Sequence, residues 1–196
     1  MFHLYDDLPN SVKFKGVEYQ LNLMFDVVLL AFSALSDQGM TPEDRLETFL
    51  SILVKGRLPA VGSWPELFDV LLELLNPTKP KAQQYDINGD PIEPPDKKKS
   101  LSFDFDVDAD LIYAAFWQTY GIDLVKQRGK LHWYSFKALL NGLPDDTLFT
   151  KVRQIRQTDL SKIKDKEQKR EMRRMKREVA LPDEGDQREE SEEYGS

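Results

Sequence analysis

The 196-residue chain contains no cysteine and only two histidines, His3 and His132. Without cysteine there is no disulfide framework, no thiolate metal site and no cysteine nucleophile. Two histidines make no conventional metal site unless distant carboxylates join them. There is no P-loop and no G-x-G-x-x-G, so nothing supports nucleotide binding. The G-x-S-x-G elbow of serine hydrolases is also missing. Long apolar runs are scarce: Leu23 to Leu35 is too short to span a bilayer and carries Asp26. The start, M-F-H-L-Y-D-D-L-P, lacks the basic and apolar regions of a signal peptide. A net charge of -7 implies no general affinity of the whole chain for nucleic acid. The expectation is a soluble, intracellular protein that is not an enzyme and needs no cofactor or metal.

What the chain does have is an aromatic centre. From Asp104 to Pro144 it reads D-F-D-V-D-A-D-L-I-Y-A-A-F-W-Q-T-Y-G, a charged connection, then L-H-W-Y-S-F-K-A-L-L-N-G-L-P, with two of the three tryptophans. The spacing predicts two helices, each with two apolar stripes. In the first, Leu111, Ile112, Ala115, Phe116 and Thr119 form one stripe, and Tyr113, Trp117 and Tyr120 a second. Asp108 or Asp110 is placed to cap its start, and Gly121 its end. In the second, Leu131, Tyr134, Ala138 and Leu139 lie on one side and Trp133, Phe136 and Leu140 on another, with Gly142 and Pro144 closing it. A helix with two apolar stripes is either buried between layers or turns one face to a partner.

Around this centre the sequence predicts a mainly α protein: a small helical bundle with a short N-terminal β-hairpin and a projecting charged C-terminal helix. Ser11 to Leu23 alternates in part about Lys15-Gly16, which predicts the hairpin. Leu23 to Leu35 has little polar face and is expected to be a buried helix. Thr41-Pro42-Glu43-Asp44 is a helix start with its N-cap and first-turn acids, and Leu46, Phe49, Leu50 and Leu53 make its stripe. Ser63-Trp64-Pro65-Glu66 has capping-box spacing before an apolar helix that stops at Asn76-Pro77. Residues 1-76 form the first part, and Pro77 to Ser100, rich in Pro, Lys and Asp, reads as a linker or insertion covering 77-103. Its Asn88-Gly89 is either an exposed β-tip or part of a disordered segment. Residues 104-157 are expected to pack with 1-76 as one body, followed by a charged helix at 158-181. The acidic residues from Pro182 to Ser196 are expected to be disordered.

Asp104, Asp106, Asp108 and Asp110 alternate, but Ala109 and Ala115 stand where a calcium loop needs Gly and Glu, so a capped lead-in to the helix is preferred. The basic run from Lys151 to Arg177 is the one nucleic-acid signal. Interleaved acids and the lack of aromatic residues within it favour a solvated or protein-binding helix.

The quoted central stretch, D-A-D-L-I-Y-A-A-F-W-Q-T-Y-G-I-D-L and L-H-W-Y-S-F-K-A-L-L-N-G-L-P-D-D-T, resembles a family of small proteins from the tail-morphogenesis region of long-tailed bacteriophages and prophages of Gram-positive bacteria. The resemblance covers about Phe103 to Arg156, with the flanking helices agreeing in order and kind. It implies a tail assembly chaperone: a transient protein of the host cytoplasm that binds the tape-measure protein and helps recruit the major tail-tube protein. Self-association into a coat is part of that expectation, as are absence from the finished virion and no contact with membrane. The competing classes are a structural tail component kept in the virion and a nucleic-acid-binding phage protein. Partner-binding residues are expected at Tyr113, Trp117, Tyr120, Trp133 and Phe136, aromatic anchors being common at interface hot spots.

Overall fold

The computed structural model describes residues 7-76 and 102-182. The expectations for Pro77–Ser100 and for the acidic segment after Pro182 lie outside these residues. The chain is mainly helical, with a two-stranded antiparallel hairpin near its N-terminus. It divides into two compact units, one of Met1–Asp96 with Val125–Asn141 and one of Lys97–Leu124 with Gly142–Ser196. The two central helices therefore fall in different units.

In the first unit, β1 (Ser11–Phe14) pairs with β2 (Val17–Gln20). Lys15 and Gly16 turn the chain with φ of 48° and 79°. Two successive positive φ values match the right-handed twist of a tight hairpin, and glycine takes the second without steric cost. The hairpin ends earlier than its alternation suggests, because the backbone from Leu21 onward finds other partners. Leu21 bridges to Val54, and Met24 to His132. The Asn22 N–H donates to Leu53 O at 2.8 Å, the Phe25 N–H to Leu131 O at 2.9 Å and the Trp133 N–H to Leu23 O at 2.8 Å. Leu21 and Leu23 are buried within this short extended strip, which ties three distant stretches of sequence together.

Helix α1 (Phe25–Ser36) packs against α2 (Pro42–Leu53), which in turn meets α3 (Trp64–Leu75). Thr41 caps α2 as its sequence predicts, its Oγ1 accepting from the Asp44 N–H at 3.2 Å. The capping box expected at Ser63 does not form. Ser63 ends a single 3-10 turn, and its hydroxyl instead accepts from Lys15 Nζ at 3.1 Å, while Lys15 pairs with Glu66 at 2.6 Å. Helix α1 is less enclosed than its composition suggests: Phe25, Val28 and Ala31 are buried, but Leu30 is 59 % exposed. Among the described residues, its main neighbour α2 covers only part of its circumference.

Helix α5 (Trp133–Asn141) completes this unit. Its Trp133, Phe136 and Leu140 stripe is the buried one. Phe136 stacks on Phe25 with centroids 5.0 Å apart, and Phe32 lies between Trp133 at 6.2 Å and Phe49 at 5.9 Å. Phe49 meets Phe68 edge-on at 5.0 Å. Aromatic rings from four helices thus form one continuous core, in contacts whose offset and edge-on geometries suit the ring quadrupole.

The C-terminal end of α3 shows how α5 is held. A helix leaves its last carbonyls without partners in the helix. Here Tyr134 donates its hydroxyl to Leu74 O, and the Trp133 indole N–H donates to Leu75 O at 2.9 Å. Lys137 also donates to Leu75 O and reaches Asn76 Oδ1 at 3.3 Å. Its ammonium meets the negative end of the α3 dipole and lies over the Trp133 and Tyr134 rings. Burial lowers the pKa of Lys137 and raises that of Tyr134.

In the second unit, α4 (Ala109–Tyr120) packs on α6 (Leu148–Gln157), and α6 on α7 (Lys166–Glu178). Gly121 ends α4 with φ 64°, the left-handed cap predicted for it. Thr147 caps α6, its Oγ1 accepting from the Thr150 N–H at 3.2 Å. Ile112, Ala115, Phe116, Phe149 and Val152 are buried here. Phe103 joins them edge-on to Phe149 at 5.5 Å.

The charged C-terminal stretch is not one helix from Ser161. A 3-10 turn at Leu160–Lys162 precedes α7, and the Asp165 carboxylate accepts from the Gln168 N–H at 2.8 Å to start it. No residue of α7 is buried. Its C-terminal end is nonetheless anchored, with Lys176 donating to the carbonyls of Arg156 and Thr158, each at 2.7 Å, and Leu181 buried beyond it.

Candidate interaction site

The five aromatic residues expected to meet a partner do not share one surface. Trp133 and Phe136 are 1 % exposed and belong to the core of the first unit. Their assignment as partner-facing is corrected: α1, α2 and α3 supply enough apolar and aromatic surface to enclose that stripe, which the sequence of α5 alone does not show. Tyr113, Trp117 and Tyr120 lie on α4 in the second unit. Trp117 is 52 % and Tyr113 38 % exposed. Tyr120 is half-buried, its ring edge-on to Phe116 at 5.8 Å.

Helix α4 resolves its two stripes by turning one inward and one outward. Ile112, Ala115 and Phe116 are buried, whereas Asp110, Tyr113, Ala114, Trp117 and Gln118 are exposed. Tyr113 and Trp117 stand one turn apart, with the small Ala114 and the amide of Gln118 beside them. The Tyr113 hydroxyl donates to Asp123 Oδ1 at 3.4 Å, across the turn that Gly121 makes. The result is a ridge with an apolar body and a polar tip, the combination that favours Tyr and Trp at interfaces.

The aspartates before α4 have structural partners. Asp104 Oδ1 accepts from the N–H groups of Asp106 and Val107 at 2.8 and 2.9 Å. Asp108 makes no side-chain cap to α4. Its carboxylate instead accepts from the Asp104 N–H at 3.0 Å and from both terminal nitrogens of Arg156, at 2.5 and 2.9 Å. Asp108 is 1 % and Arg156 6 % exposed. Arg156 further donates Nε to Val179 O at 2.5 Å. This buried bidentate pair joins the start of α4, α6 and the end of α7, and no local sequence pattern marks it. Among the described residues, no group of three or more His, Asp or Glu is placed to hold a metal ion. Likewise, no described helix is long and apolar enough to cross a membrane.

His132 is a structural residue of the first unit. Its Nε2 lies 3.0 Å from Pro9 O and its Nδ1 accepts from the Tyr134 N–H at 3.2 Å. A carbonyl only accepts, so Nε2 carries the proton and the ring is neutral. Protonating Nδ1 would set two donors face to face, and burial opposes the charge further, lowering the pKa below its ordinary value of 6.5 despite the favourable Pro9 bond. The unfolded chain then takes up this proton first. Stability should therefore fall as the pH drops below the unfolded value, and level off below the folded one. Imidazole NMR titration should place the His132 pKa below 6.5. A value at or above it would contradict the neutral, doubly bonded ring.

The charges of α7 are sorted rather than mixed. At about 100° per residue, Lys166, Lys169, Arg170, Arg173 and Arg177 fall on one face, Glu167, Glu171 and Glu178 on a second, and Met172 and Met175 on a third. Met172 and Met175 are half-buried, while Lys166, Arg170, Arg173 and Arg177 are exposed and Lys169 is half-buried. The signal was present in sequence, because the cations recur at three- and four-residue steps, but counting charges along the chain hides it.

The chain is thus mainly α-helical and, among the described residues, presents an exposed aromatic ridge and an exposed basic helix face. The family profile described as Bacteriophage Gp15 protein matches residues 4–181, and the chain belongs to that family. No curated protein and no solved structure matches it.

Proposed function

We propose that this phage protein is a tail assembly chaperone, a binding protein of the host cytoplasm rather than an enzyme. In this reading it holds the tape-measure protein while tail-tube subunits are recruited, and it leaves before the virion is complete. Membership of a bacteriophage family supports the setting. The observation that carries the mechanism is the Tyr113–Trp117 ridge, exposed on a helix whose opposite face is already used by the core. A tape-measure protein is long and helical, and an amphipathic helix docks its apolar face against such aromatic anchors.

Replacing Tyr113 and Trp117 together by Ser should leave the chain folded at a cost of about 1–2 kcal/mol, since it removes two partly exposed rings and the Tyr113 hydrogen bond to Asp123. It should also abolish co-purification with the tape-measure protein from infected cells. Undiminished capture by a folded variant overturns the assignment of the ridge. A stoichiometric amount of the chain in purified particles overturns the chaperone reading in favour of a retained tail component.

A further inference from the structure

The basic face of α7 has no partner among the described residues. Lys166, Lys169, Arg170, Arg173 and Arg177 make no ion pair there, and the one pair within the helix, Arg174 with Glu178 at 3.6 Å, lies at the edge of the basic face. Five cations at successive helical turns repel one another and attract a polyanion. The sequence carries one directly after the described residues. Residues 183–196, D-E-G-D-Q-R-E-E-S-E-E-Y-G-S, carry seven carboxylates and one arginine.

The anchor at the end of α7 sets where this segment begins. Val179 O accepts from Arg156 Nε, and Leu181 is 5 % exposed, so the chain is held two residues before Asp183. The basic face extends back from there over roughly 16 Å, at 1.5 Å rise per residue. Fourteen residues reach up to about 46 Å when extended, ample to return along it. Tethering also raises the local concentration of an attached ligand to the millimolar range.

We propose that the basic face of α7 is a polyanion-binding surface whose occupant in the free chain is the acidic segment 183–196. The segment acts as an internal competitor: an outside polyanion reaches α7 only by displacing it. Neither the ridge on α4 nor the chaperone reading is needed for this inference.

The test compares the full-length chain with a full-length variant in which the seven carboxylates of 183–196 are replaced by their amides. Each is titrated with a fluorescent peptide of the native 183–196 sequence and, separately, with a mixed-sequence DNA duplex. The amide variant should bind the peptide at least about tenfold more tightly than the native chain, because the tethered competitor is gone. That binding should weaken as salt rises from about 50 to about 300 mM. It should disappear on adding R170E and R173E, two exposed changes whose folding is checked by circular dichroism. Binding of both probes under the same control by the tail supports the proposal, the segment then shielding α7 from polyanions in general. Equal peptide binding by the two chains overturns it, as does binding that survives the charge reversals. A duplex bound equally with and without the tail carboxylates, and no peptide binding, overturns it in favour of a plain nucleic-acid surface.

Discussion

Replacing Asp108 by Ala should lower the unfolding free energy of the second unit by about 3–5 kcal/mol, the usual cost of stranding one partner of a buried ion pair. Asp108 and Arg156 are both almost fully enclosed. Without the carboxylate, two guanidinium nitrogens lose their acceptors in a place water does not reach, and the Asp104 N–H loses its own. The loss should spread along the chain, because Arg156 also holds Val179 O at the end of α7. The three tryptophans allow the effect to be located, Trp117 lying in the second unit and Trp64 and Trp133 in the first. With fluorotryptophan and 19F NMR in urea, the Trp117 resonance should report the lowered midpoint. The double variant D108L/R156M should recover most of the loss, since removing both charges leaves no uncompensated one. A cost for D108A below about 1 kcal/mol would mean that the pair behaves like an exposed salt bridge.

The second large effect separates the two central tryptophans. Trp133→Ala should cost about 3–5 kcal/mol, as large-to-small changes of buried aromatics do. It removes a ring packed against Phe32 and Phe136 and a hydrogen bond to Leu75 O. Trp133→Phe keeps most of the packing and should cost about 1 kcal/mol for the lost hydrogen bond, with Lys137 still donating to the same carbonyl. Trp117→Ala should stay within about 0.5 kcal/mol of the native chain. Equilibrium denaturation of the three variants measures the contrast. A stable W133A together with an unfolded W117A would reverse the roles assigned to the two residues.

The contrast bears on what could be read from the chain without its fold. Both tryptophans sit on helices that the spacing of apolar residues predicts, each within the second of two stripes. Periodicity identifies a stripe but not the surface that will cover it. For α5 the cover comes from Phe25 and Phe32 on α1 and from the end of α3. For α4, the Ile112, Ala115 and Phe116 face is the one that is buried, and Tyr113 with Trp117 stays open. Nothing in the local sequence of either helix distinguishes these outcomes.

The aspartates before α4 teach a related lesson. Their alternation invites a metal reading, and the missing Gly and Glu argue against it, but neither observation finds Arg156, 48 residues further on. The expected role of Asp108 as the helix cap is replaced by this pairing. Conversely, the sorted faces of α7 were legible in principle, since they follow from helical geometry and residue order alone.

The amino-acid sequence by itself determined the helical class, the hairpin turn at Lys15-Gly16, the caps at Thr41 and Gly121, and the stripes on each central helix. Each of these rests on backbone preferences and side-chain periods acting over a few residues. Only the tertiary structure decided which stripe of each helix is enclosed, that Asp108 meets Arg156, and that the strip from Gln20 to Phe25 bridges to 53–55 and 131–133. Those choices depend on apolar area and charges brought together from far along the chain, where burial outweighs any local preference.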